Sequence, residues 1–393
     1  MIPYARQSID QADIAAVVEV LQSDWLTQGP LIEHFEQAMA QRCGATHAVA
    51  VCNATAGLHL ACLAAGLGSG DWLWTSPISF VASANCGRYC GAGVDFVDID
   101  PHTWTIDAQA LALKLEQAAR EGRLPKVVVA VAFAGQSADM RSIAVLARQY
   151  GFTLIEDAAH AVGARYAGKP VGCGEYADMT VFSFHPVKII TTAEGGMVLT
   201  ARDDLAVRLR RLRSHGISRD PGQMTEESHG AWYYQQLELG FNYRITDLQA
   251  ALGLSQLTRL DAFLARRREL AARYQRLLAH LPVSVQAPQQ DAESAWHLFV
   301  VRLECDRILR SHREIFDGMR AAGVGVNLHY IPIHLQPYYR DLGFKQGDFP
   351  QAESYYAQAL SLPMYPQLTD AQQDQVIASL CGLLKLPVGC VNA

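Results

Sequence analysis

The sequence predicts an α/β protein: a large domain on a mostly parallel sheet with helices on both faces, then a smaller α+β domain. Three observations predict it. Short apolar runs of strand length alternate with helix-length segments between residues 47 and 200. The strongest run, 126–133 (KVVVAVAF), is apolar almost throughout, as a strand covered on both faces must be. After Asn242 the texture changes to a long stretch rich in Ala, Leu and Arg, and a second set of elements follows. The domains are drawn at 1–245 and 246–393. The 393 residues, half of them apolar, suffice for one large core and a smaller one.

Residues 10–22 (DQADIAAVVEVLQ) have helical spacing, with Ser8 or Asp10 as the cap. Residues 25–30 (WLTQGP) are loop by composition, and 31–42 a helix. HAVAVC at 47–52 reads as a buried strand, 53–57 (NATAG) as a small-residue turn, and 58–65 as a helix. A strand at 71–76, a mainly helical stretch at 78–91, a strand at 94–98 and a helix at 108–121 follow. Beyond the 126–133 strand come a helix at 140–150 and a strand at 152–156 that runs into Asp157. Strands at 178–184 and 196–200 complete the large domain. Residues 247–281 read as one long helix joining the domains. The C-terminal unit has strands at 297–303 and 324–329, a helix at 311–322, and a last helix from near Thr369.

The 33 basic and 39 acidic side chains leave a net charge of −6 and are interspersed. No basic run or basic–aromatic stripe is present, so nucleic acid is not an expected partner. A small anion needs only a few local donors and stays compatible with this balance. The nine cysteines (Cys43, Cys52, Cys62, Cys86, Cys90, Cys173, Cys305, Cys381, Cys390) form no C-x-x-C pair. They read as reduced thiols of a cytoplasmic protein, with neither a disulfide frame nor a metal site. The chain opens without an apolar leader, and the most apolar stretch, 47–70, is broken by Asn53, Thr55 and His59; no membrane span is expected.

Four constellations carry chemistry. In Ile155-Glu156-Asp157-Ala158-Ala159-His160 a carboxylate ends an apolar strand, where open α/β sheets bind ligands. Such a carboxylate can keep a pyridine nitrogen protonated; read alone, it is more often a helix cap. In Val181-Phe182-Ser183-Phe184-His185-Pro186-Val187-Lys188 a lysine follows a buried strand and precedes two isoleucines. Most lysines are solvated. Apolar flanks lower a lysine's pKa and let its amine attack an aldehyde, and Ser183 can bond a phosphate. Small residues at Asn53 to Gly57 let backbone N–H groups approach an anion at a helix N-terminus, or simply pack closely. Phe80, in Pro77-Ile78-Ser79-Phe80, is either a core residue or an aromatic that stacks on a ligand ring.

Together these segments resemble the DegT/DnrJ/EryC1/StrS family of fold-type I sugar aminotransferases. The resemblance runs from Trp25 to about Pro366, through WLTQGP, NATAGLHLA, SPISFVASAN, EDAAHAVGA, SFHPVKIITTAEGG, RSHGI, FNYRITDLQAALGLSQL and VNLHYIPIHLQPYY. It implies pyridoxal phosphate as cofactor and transfer of an amino group from L-glutamate to the C4 ketone of a nucleotide sugar. Within the family the likeness points to members acting on a UDP-linked 4-keto-6-deoxy-N-acetyl hexose; dTDP- and GDP-sugars and a UDP-4-ketopentose remain open.

The resemblance also implies roles. Lys188 forms the Schiff base and shuttles the proton. Asp157 pairs with the pyridine nitrogen, and His160, where many relatives carry Gln, lies near the cofactor's 3-oxygen. Phe80 stacks on the ring. Ala54, Thr55, Ala56 and Ser183 hold the phosphate, and Asn242 reaches it from a partner in a homodimer with shared active sites. Tyr4, Asp24, Trp25, Leu26, Thr27, Ala54, Ser183, Asn327, Leu328, His329 and Tyr330 match the sugar-nucleotide positions. Phe133-Ala134-Gly135-Gln136 stands where many relatives have Tyr-Gly-Gln. A dehydratase of the same fold would carry histidine in place of Lys188, and a non-catalytic relative would lack Lys188 or Asp157; both residues are present.

Overall fold

The computed structural model describes residues 1–384. Cys390 and the last residues of the C-terminal domain, drawn to 393, lie outside the described residues. Seven strands form the central sheet: β1 (His47–Val51), β2 (Trp72–Thr75), β3 (Gly93–Phe96), β4 (Val127–Val131), β5 (Thr153–Asp157), β6 (Met179–Ser183) and β7 (Gly196–Thr200). Their order is β1-β7-β6-β5-β4-β2-β3, and β7 alone runs against its neighbours. Side chains alternate between two cores, as the two-residue period of a strand requires. Val49 and Val51 face Leu58, Leu205 and Leu209. Ala48 and Ala50 face Phe35 and Met39.

Helices cover both faces. α1 (Gln11–Leu21), α2 (Pro30–Cys43), α3 (Ala54–Ala64), α4 (Ala82–Tyr89), α5 (Ala108–Glu121), α6 (Met140–Tyr150) and α7 (Asp203–Arg213) belong to the large unit. α1 starts at Asp10, whose side chain accepts the Asp13 N–H while Asp13 accepts that of Asp10. α8 (Asp247–Leu257) and α9 (Leu260–Leu278) follow. The small unit has an antiparallel sheet of β8 (Val283–Val285), β9 (Phe299–Leu303) and β10 (Ala359–Leu362), with α10 (His312–Ala321), α11 (Pro350–Gln358) and α12 (Asp370–Leu383).

The chain passes from one core to the other along α9. Leu260, Phe263 and Leu264 pack with Ala250 of α8 in the large unit. Leu270, Tyr274 and Leu278 pack with Phe299, Met319 and Leu380 in the small one. Ile2 joins the small core as well: its N–H bonds Gly323 O at 2.8 Å and its carbonyl takes the Gly325 N–H at 2.7 Å.

Four local expectations change. The expected single helix over 247–281 is two helices, broken at Thr258 and Arg259. Thr258 Oγ1 bonds Ser255 O at 2.6 Å, and Arg259 turns to pair with Asp10 and the buried Asp13. The turn expected at 53–57 is the first turn of α3, because Asn53 Oδ1 accepts the Ala56 N–H at 2.8 Å and caps the helix. The helix expected over 78–91 begins at Ala82; Ser76 Oγ takes the Ile78 N–H and holds the segment through Phe80 in an irregular turn. The strand expected at 324–329 is reduced to two bridges, Val324 to Ile2 and Asn327 to Ser361. Asn327 Oδ1 accepts the Leu328 N–H at 2.8 Å and bends the chain there.

Candidate functional site

A cavity of about 590 Å³ opens at the C-terminal ends of β1, β4, β5 and β6, the edge at which open α/β sheets gather ligands. Lys188, Asp157, His160, Phe80, Ala54, Thr55 and Ser183 line it, with Tyr4 and Asn327 to Tyr330 opposite. Strand order explains the gathering: β6 delivers Ser183, β5 delivers Asp157, and β1 leads into α3.

Asp157 is buried and doubly held: Ser83 Oγ donates to its Oδ2 at 2.6 Å, and the Ala159 N–H donates to Oδ1 at 3.1 Å. Ser79 is hydrogen-bonded to Ser83 in turn, at 2.6 Å. Burial raises the Asp157 pKa, and those donors together with nearby Lys188 pull it back. Burial lowers Lys188 to about 8, against the opposing pull of Asp157. A buried carboxylate and a partly neutral amine thus face one space.

The N-terminus of α3 points into the same cavity. Asn53 takes the Ala56 N–H, and Asn53 O takes that of Gly57. Among the described residues the N–H groups of Ala54 and Thr55 have no acceptor. Gly196 makes the close approach possible, since a Cβ there would lie 2.6 Å from Ala54 N. Two free N–H groups at a helix N-terminus, beside Ser183, could hold an anion such as a phosphate.

His160 accepts the Ala134 N–H at Nδ1 (3.3 Å), so its proton sits on Nε2 and is donated to Tyr330 Oη at 3.1 Å. The Tyr330 hydroxyl therefore stands between His160 and the ligand space. His329 gives its Nδ1 proton to Ser361 Oγ at 2.7 Å, while its Nε2 faces the Asn327 amide at 3.4 Å. Burial, with Lys188 nearby, lowers His329 to about 3 and pushes His160 well down, so both are neutral. Phe80 is 57 % exposed and forms one lip of the cavity.

Not every expected residue is gathered here. Ala56 is buried, and its N–H is already spent on Asn53. Asp24, Trp25, Leu26 and Thr27 are exposed; Trp25 lines a separate apolar groove between α1 and α8. Asn242 is exposed and bridges Ser214, outside the cavity of its own chain. The sequence reading missed Ser79, Ser83, Glu194 and His297, all of which line or support the site. His297 had a signal, a histidine opening an apolar strand; the serines had none.

The residues fit pyridoxal phosphate: a lysine with a lowered pKa, a buried carboxylate, and two N–H groups awaiting an anion. Among the described residues no cluster of three His, Cys, Asp or Glu could hold a metal ion, and no helix is long and apolar enough to cross a membrane.

The chain resembles known proteins over nearly its whole length. The model of the DegT/DnrJ/EryC1/StrS aminotransferase family matches residues 7–381. The spore coat polysaccharide biosynthesis protein SpsC of Bacillus subtilis is 40 % identical over 98 % of this chain and 97 % of its own. The structure of Helicobacter pylori PseC, an aminotransferase involved in the biosynthesis of pseudoaminic acid, superposes with a TM-score of 0.87 at 30 % identity, covering 98 % of this chain and 99 % of that one. A putative sugar aminotransferase from Streptococcus pneumoniae in its PMP form superposes with a TM-score of 0.88 at 29 % identity, over 98 % and 99 % of the two chains.

Proposed function

The chain belongs to the DegT/DnrJ/EryC1/StrS aminotransferase family and is a pyridoxal-phosphate-dependent sugar aminotransferase; from that premise we propose that Lys188 and Asp157 are its catalytic pair. The observation that carries this is their convergence, with the free N–H groups of α3, on one cavity.

Pyridoxal phosphate, when bound, supplies an electron sink for the carbanion formed as the amino donor loses its Cα proton. The chain's residues do the remainder. Ala54, Thr55 and Ser183 bind the phosphate. Asp157, kept oriented by Ser83 and Ala159, holds a proton on the pyridine nitrogen. Lys188 binds the cofactor, takes the Cα proton of L-glutamate in one half-reaction, and delivers a proton to C4 of the sugar in the other. Its pKa of about 8 lets one amine act as both base and acid. Phe80, at the lip of the cavity, would cover one side of the cofactor ring, and Tyr330, backed by His160, donates into the cavity. Tyr4 and the Asn327 to Tyr330 wall face the sugar nucleotide.

The acceptor we assign is UDP-2-acetamido-2,6-dideoxy-β-L-arabino-hexos-4-ulose, giving UDP-4-amino-4,6-dideoxy-N-acetyl-β-L-altrosamine, the amination step of pseudaminic acid synthesis. The likeness to PseC supports it. The higher identity to SpsC favours a second reading, another nucleotide-linked 4-keto sugar destined for a polysaccharide. We place Asn242, with Asp24 to Thr27, at a homodimer interface where it completes the partner's phosphate site. The described cysteines are free thiols, which suits the cytoplasm.

Purified protein assayed with L-glutamate and a panel of UDP-, dTDP- and GDP-linked 4-keto sugars tests both readings. Turnover fastest with the UDP-4-keto altrose precursor is expected; none with it overturns the first reading. Lys188→Ala should lower activity by about 10³-fold or more and abolish the visible absorbance of lysine-bound cofactor.

A further inference from the structure

His297 opens β9's apolar run and is 3 % exposed, yet its ring lines the ligand cavity. The ring packs against His160, centroids 4.3 Å apart and planes 42° apart. His160 cannot serve it as a partner, because both His160 nitrogens are engaged, one by Ala134 and one by Tyr330. The Nδ1 of His297 is shut away from solvent with no partner among the described residues. A bare buried lone pair costs less than a bare buried N–H, so the ring proton belongs on Nε2. Burial and the neighbouring His160, Lys188, Arg267 and His329 hold the imidazole neutral. Its backbone is fixed too: Arg267 Nη1 donates to the carbonyls of Trp296 and His297 at 3.2 Å, and of Met364 at 3.1 Å.

We propose that His297 is a binding residue of this site, its Nε2–H donating to an acceptor oxygen of the bound cofactor or of the amino donor. A neutral donor suits this position. A protonated imidazole here would face the Lys188 ammonium, and each charge would disfavour the other, so the ring donates as the neutral form. A carboxylate or phenolate oxygen is the chemistry the N–H recognises, and it would supply the hydrogen bond the protein does not. The inference rests on the cavity being the cofactor site.

The test compares His297→Phe, which keeps ring volume and removes the N–H, with His297→Gln, which restores a donor. Apoprotein is titrated with pyridoxal phosphate, followed by visible absorbance and its pH dependence. KM for L-glutamate and the melting temperature are measured alongside. If the oxygen is the cofactor's, His297→Phe weakens cofactor binding at least tenfold and moves the pH midpoint of the absorbance. If it is the donor's, cofactor binding is unchanged and KM rises at least tenfold. In either case His297→Gln recovers most of the loss and both variants melt like wild type. Wild-type behaviour of His297→Phe in both assays overturns the proposal, as does equal failure of both variants with lowered melting. Failure of the cofactor-site reading would show instead as no lysine-bound absorbance in wild type.

Discussion

Lys188 is a half-buried amine, and its burial has a thermodynamic signature. Its pKa falls from 10.5 to about 8 in the folded chain. Between those values the unfolded chain binds more protons, so this group makes cofactor-free protein more stable as pH rises from about 8 to 10.5, and costs most below 8. Lys188→Met, neutral throughout, should be more stable than wild type by about 3 kcal/mol at pH 7. The gap should close toward pH 10.5 in denaturant melts; a gap constant with pH would refute the shift. Residues such as Lys188 and Asp157 were legible because a chemically demanding side chain sat against the end of an apolar strand. Ser83 was not. It reaches Asp157 across 74 positions of sequence, and only the pairing of β2, β4 and β5 brings them together. The role of Ala134 was equally hidden. It takes a left-handed conformation, φ 58°, so that its N–H meets His160.

At the scale of elements, helices with local punctuation were readable. α5 begins at a capping Asp107 and ends at Gly122; α6 begins at Asp139 and ends at Gly151. α7 went unread. Arginine crowds its surface and its apolar face is only Leu205, Ala206, Leu209 and Leu212. The break between α8 and α9 was invisible because Thr258 and Arg259 break nothing locally; ion pairs to α1 bend the chain. The contact between β7 and α3 gives a test. In Gly196→Ala the new Cβ meets Ala54 N and Asn53 C at 2.6 Å, backbone that cannot swing aside. The first turn of α3 must shift, so pyridoxal phosphate affinity should fall by at least about tenfold while the protein loses roughly 1–3 kcal/mol of stability. Fluorescence titration and thermal melting read the two effects; unchanged affinity would remove the phosphate from α3.

For the whole molecule, the exposure of Asn242 outside its own chain's cavity leads to a complementation test. Lys188→Ala and Asn242→Ala each inactivate every site of their own homodimer if the sites are shared. Unfolding and refolding the two together makes half the dimers hybrid, each with one intact site, and should restore about a quarter of wild-type activity. A mixture as inactive as its components would mean that Asn242 does not complete its partner's site. The large sheet was readable at this scale because each βα repeat is local. The 324–329 wall was not, since its shape is set by Ile2 and Ser361, far away in sequence.

α9 is rooted in the large core at Leu260, Phe263 and Leu264, and in the small core at Leu270, Tyr274 and Leu278. Its 19 residues form an unbroken rod of about 28 Å. It acts as a ruler between the floor that bears Lys188 and the wall that bears Asn327 to Tyr330. The distance between them is set by one helix packed into both cores. On the function proposed above, side chains along that gap are where a change in the accepted sugar would be made.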